Sequence, residues 1–197
     1  MNKKFGKILE ITTMAMLVAL SIVSLNFIKF PLIPSAPFLE YDCADVPAIL
    51  AGLIFGPVQG LTVLLLTCVI QAFTFSASSG VIGLIMHFCA SATLVLIPSL
   101  VGKKYKSTKA LVASLAVATV AMTIIMIPLN LVFTGIFLGT GVKNVVSMLI
   151  PAIIPFNFIK AAINSAASFL IFTVIPSKLK PASENNAGNT GSVEKSK

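Results

Sequence analysis

Apolar runs of the length a bilayer demands recur along this chain, and they limit its fold more than any motif does. A transmembrane helix needs about 20 predominantly apolar residues. Candidate spans lie at about Ile8–Phe30, Val46–Phe55, Val58–Phe75, Val81–Val101, Ala110–Leu138 and Met148–Pro176, the second and third being short. With 57% hydrophobic and 10% charged residues, the chain is not a water-soluble globular domain. Lipid leaves no partner for an open backbone, so the spans must be helices or a closed barrel. Their length predicts an all-α integral membrane protein of six transmembrane helices. Residues 1–180 form one membrane domain on this reading, and the polar tail 181–197 is expected to be disordered.

The net charge of +8 comes from fourteen lysines and no arginine. They do not form one patch, as a nucleic-acid binder would require. Lys3, Lys4 and Lys7 precede the first span. Lys103, Lys104, Lys106 and Lys109 lie between the fourth and fifth, and Lys178, Lys180, Lys195 and Lys197 follow the last. Positive charge accumulates in cytoplasmic loops. This predicts cytoplasmic N- and C-termini in a multi-pass membrane protein. The first apolar run is longer than a signal-peptide core and is expected to be retained.

The loop after span 1, PLIPSAPFLEYDCAD, carries three prolines, which exclude a regular helix. It also carries Glu40, Asp42 and Asp45, three of the six acidic residues. The plain reading is a solvated acidic loop on the outer side, with Asp45 capping the next helix and Pro47 in that helix's first turn. The Gly-Pro at 56–57 is a turn, and GTGVKN at 139–144 is a second outer loop.

Lys160 is the residue that apolar surroundings do not explain. A charge inside a span costs roughly 3 kcal/mol or more, so it usually serves function. Asn157 and Asn164 flank it at helical spacing on the same face. Asn130 in span 5 comes to a comparable depth. These groups predict a pocket with Phe38, Leu39 and Tyr41 as its lid, suited to a neutral heteroaromatic ligand with ring carbonyls and a polyol chain. The alternatives are interhelical glue, or pairing of Lys160 with Asp42 or Asp45. His87, the only histidine, reads as a helix–helix hydrogen bond. Cys43, Cys68 and Cys89 have neither disulfide nor metal spacing, and no cofactor or phosphate loop is indicated. Ala15 and Ala19, four apart in span 1, would let another helix approach closely.

Three stretches carry a resemblance. Phe38–Gly60, FLEYDCADVPAILAGLIFGPVQG, resembles a block in the substrate-binding S components of energy-coupling factor (ECF) vitamin transporters. Ile153–Ser165, IIPFNFIKAAINS, resembles the sixth span of the riboflavin-specific members. AMLVA is similar to their AxxxA docking motif. The resemblance implies a six-helix protein without catalytic activity that captures riboflavin. It implies docking through Ala15 and Ala19 onto a transmembrane coupling protein driven by two cytoplasmic ATPases. Asn130 and Lys160 would bond the ligand, Phe38, Leu39 and Tyr41 would cover it, and Gly83 would let the ring approach. Span 4 departs from the implied Gly-Glu-x-x-Asn run, with Leu84 for the acid and His87 for the amide, so His87 joins the candidate contacts. The rival expectations are an S component for another vitamin or flavin analogue, a small integral-membrane enzyme built on Glu40–Asp45, and a structural or channel subunit.

Overall fold

A computed structural model describes residues 3–74, 79–105 and 107–175. The polar tail, most of the Ser76–Gly80 turn and Lys106 therefore lie outside the described residues. Helix α1 (Lys3–Phe27) leads into a two-stranded antiparallel ribbon, β1 (Lys29–Pro31) with β2 (Glu40–Asp42). There follow α2 (Asp45–Phe55), α3 (Pro57–Phe73), α4 (Gly80–Lys104), α5 (Thr108–Leu138) and α6 (Val142–Met148). A π-helical segment (Leu149–Ile153) then runs directly into α7 (Ile154–Val174).

The stretches Gly6–Phe27, Gly80–Lys104, Thr108–Leu138 and Val142–Val174 are long and apolar enough to cross a membrane. Helices α2 and α3, at 11 and 17 residues, are shorter. At 1.5 Å per residue α2 is only about 16 Å long. It is instead a core element. Asp45 through Gly52 and Ile54 are all buried, and α2 packs on α1, α3, α4 and α7. Its mate α3 leaves Gly56 at φ +122°, a conformation only glycine adopts without strain. The two helices then lie backbone to backbone against α4. A Cβ on Gly60 would sit 2.5 Å from Val95 Cγ1 and 2.7 Å from Gly52 Cα. The outward surface is apolar, with Ile8, Phe27, Phe73, Ile150 and Val174 among its exposed side chains, as lipid contact requires.

Three sequence expectations change. The first span does not run to Phe30. Lys29 and Phe30 belong to β1, where Phe30 faces Tyr41 with ring centroids 5.3 Å apart and Lys29 bridges to Glu40 at 2.7 Å. The loop thus contains a β-ribbon, with Pro31 at the end of its strand, where the missing N–H is tolerated. The last helical stretch begins at Val142, inside the segment expected to be loop; only Gly139–Gly141 turns, with Gly139 at φ +63° ending α5. Pro151 and Pro155 lack N–H donors, so the ladder loosens there: the Ile154 N–H donates to Leu149 O, five residues back.

The contact between α3 and α2 generates a test. Gly60→Ala forces a methyl into backbone and Val95, and is expected to destabilise by about 1–3 kcal/mol. Thermal unfolding in detergent measures it; an unchanged midpoint would mean that the α2–α3–α4 contact is looser than drawn.

Candidate functional site

A cavity of about 370 Å³ opens beside the β-ribbon, within the size range of small-molecule pockets. The ribbon segment contributes Phe38 and Leu39, α4 contributes Gly83 and His87, α5 contributes Asn130, and α7 contributes Asn157 and Lys160. All seven were singled out from the sequence, and the fold brings them to one wall system. Tyr41 and Asn164 are not among the lining residues. They stand behind the wall and bond each other, Tyr41 Oη donating to Asn164 Oδ1 at 3.0 Å. Ala15 and Ala19 lie elsewhere, exposed on α1.

The charges of the site are paired. Lys160 Nζ donates to Asp42 Oδ2 at 2.8 Å, both side chains nearly buried. His87 Nε2 meets Asp45 Oδ1 at 2.8 Å. Hence two readings of the acidic loop are corrected. Asp42 and Asp45 are buried rather than solvated; only Glu40 remains half-exposed. Nor does Asp45 cap α2. It is the first residue of the helix and makes no capping bond, while its second oxygen accepts from Asn164 Nδ2 at 3.1 Å. A low-dielectric interior drives both changes, because an unpaired carboxylate there costs far more than a lost cap. Asp42 Oδ1 instead accepts from the Ala44 N–H at 3.2 Å, a local turn that directs the chain into α2. Burial, reinforced by nearby Cys43 and Asp42, pushes the Tyr41 phenol up to about 12, so it remains a donor.

The two lining amides differ in what they offer. Asn130 donates to Met126 O at 2.7 Å and accepts from Thr134 Oγ1 at 2.8 Å. Asn157 donates to Ile153 O at 2.7 Å, in the π segment, but its Oδ1 is buried without a hydrogen-bond partner among the described residues. A buried acceptor left open on a cavity wall is a ligand group in waiting. Ser91, on the same wall, is also buried, close to the Asp45 carboxylate. Apolar area comes from Leu84, Met122, Met126 and Phe156. Ser91 and Thr134 were missed in the sequence, although each lies four residues from a singled-out side chain and so on its helix face. Nothing local announces that Asp45 would meet His87, which is 42 residues away.

Removing one partner of a buried ion pair costs about 3–5 kcal/mol. Lys160→Met is therefore expected to lower the thermal midpoint of the ligand-free protein strongly, and Lys160→Met/Asp42→Asn to recover much of the loss. Equal midpoints for all three proteins would show the pair to be solvated.

Comparison with known proteins places this geometry. Residues 9–172 match the family described as ECF transporter, substrate-specific component. The riboflavin transporter RibU of Staphylococcus aureus is 35% identical over 177 residues, 87% of this chain and 92% of that protein. The riboflavin transporter FmnP of Bacillus subtilis is 34% identical over 183 residues, 89% and 93% respectively. A solved structure described as the S component of a bacterial ECF transporter is 34% identical, with TM-score 0.75 over 89% of this chain and 99% of that one.

Proposed function

We propose, from the premise that this chain belongs to the ECF transporter substrate-specific component family, that it is the riboflavin-binding subunit of an ECF importer. It is a membrane protein and a transport subunit rather than an enzyme, and it works with an ECF module. The observation that carries the ligand reading is the cavity itself. It combines apolar walls, the open Asn157 Oδ1 acceptor and a lining in which Lys29 and Lys160 are met by Glu40 and Asp42. Such a lining suits a neutral ligand. A flavin has an apolar tricycle, an imide edge whose N–H can meet Asn157 Oδ1, and a polyol chain for the remaining polar groups. The relatives named riboflavin transporters support the same choice. Another vitamin or a flavin analogue is the second reading, favoured by Leu84 and His87 on the α4 wall.

In the plasma membrane, the lysine distribution supports cytoplasmic termini. The ribbon and cavity mouth then face outward, and the ribbon residues Phe38 and Leu39 cover the bound ligand. Ala15 and Ala19 lie exposed on one face of α1. They form the face for a transmembrane coupling protein, which two cytoplasmic ATPases drive.

The visible absorption spectrum of protein purified from riboflavin-supplied cells tests the ligand. A yellow flavin released on denaturation and identified by mass is the expected result. A colourless protein that leaves the fluorescence of added riboflavin unquenched would move the assignment to another vitamin. Docking is tested separately. Ala15→Trp is expected to leave riboflavin affinity within about twofold while abolishing uptake by the assembled transporter, since only small residues allow close helix approach. Normal uptake would remove the docking role of α1.

A further inference from the structure

Asn164 contributes nothing to the cavity surface, yet all its polar groups are committed. Its Oδ1 accepts from Tyr41 Oη at 3.0 Å. Its Nδ2 donates to Asp45 Oδ2 at 3.1 Å and to the backbone oxygen of Asp42 at 3.3 Å. The side chain is fully buried. It lies one turn beyond Lys160 on α7, so this helix grips Asp42 twice, by ammonium at the carboxylate and by amide at the carbonyl. Asp45 in turn holds His87 of α4. One carboxamide thus joins the end of β2, the start of α2 and α7, and the two acids it orders are the partners of Lys160 and His87, both of which line the cavity.

We propose that Asn164 is a positioning residue for ligand binding. It holds Asp42 and Asp45 in a single frame, and that frame sets where the Lys160 ammonium and the His87 imidazole meet the ligand. The inference rests on reading the cavity as the riboflavin site. An amide is the side chain the position requires: one acceptor for a phenol, and two donors for a carbonyl and a carboxylate. Aspartate would supply no donor and add a third buried carboxylate. Leucine fills similar volume but leaves Tyr41 Oη, Asp42 O and Asp45 Oδ2 each short of a bond, and the acids are then free to shift.

A double-mutant cycle on riboflavin affinity, read by fluorescence quenching, separates positioning from general destabilisation. Asn164→Leu and Lys160→Met are each expected to weaken binding by about tenfold. The double variant is expected to bind at least about threefold more tightly than the product of the two single losses, because one of the two groups that Asn164 aims is already gone. A full multiplication of the two losses would overturn the proposal. The second readout needs no ligand. His87 is the only histidine, so its imidazole 15N shifts report the bond to Asp45 directly. They are expected to change in Asn164→Leu and, should that variant fail to fold, in Tyr41→Phe, which releases Asn164 Oδ1; unchanged shifts would overturn the proposal. If the wild type does not bind riboflavin, the ligand assignment falls, and the His87 shifts still decide the role of Asn164.

Discussion

The ion pair between Lys160 and Asp42 is the contact on which the arrangement of this protein depends. An ammonium in the middle of an apolar bundle loses most of its hydration, and must be met by an anion or carry a large penalty. That anion comes from the connection after α1. Once Asp42 is drawn to α7, β2 is fixed in place, and β1 pairs with it. Asp45 then lies at the start of α2 among α4 and α7, where His87 and Asn164 receive it. The position of the ribbon over the cavity, and the depth at which the short α2 is buried, follow from this one pairing.

Irregular backbone clusters where the cavity is built. Within a membrane, broken helices are tolerated where they line a cavity and freed groups find partners. The π segment at Leu149–Ile153, with Pro151 inside it and Pro155 just beyond, precedes Asn157, whose amide bonds back to Ile153 O. Pro128 in α5 precedes Asn130, which bonds back to Met126 O. Both asparagines therefore spend a donor on their own helix. They differ in the acceptor: Thr134 occupies that of Asn130, while that of Asn157 is without a partner among the described residues. Two residues of the same type and similar setting thus have different capacities for a ligand.

Much of the site was legible because membrane sequences make polar groups conspicuous. Lys160, Asn130, Asn157 and His87 stand out in apolar runs, and helical spacing shows which face each occupies. The ribbon was less legible. Three prolines read correctly as an end to helix, yet strands of three residues carry almost no periodicity. The acids were legible only in part: an Asp in a loop is ordinarily solvated, a rule that the burial of Lys160 and His87 overrides, yet the alternative that Lys160 pairs with Asp42 or Asp45 is the one found, with Asp42. Asn164 reads as a pocket residue by spacing, but a helix face is wide enough to hold both a lining residue and one behind it.

By itself the sequence determined the helical membrane class, the approximate course of the long helices and the polar residues that had to be answered within the bundle. These follow from local properties, apolar length and the cost of a charge in lipid, which need no knowledge of neighbours. Tertiary structure decided the pairing. Asp42 with Lys160, Asp45 with His87 and Tyr41 with Asn164 join residues 42 to 123 positions apart, and which acid meets which cation depends on where α2, α4 and α7 cross. Close approach through Gly52 and Gly60 sets how α2 and α3 meet α4, the helix that carries His87, while α7 is tied in by the bonds of Lys160 and Asn164.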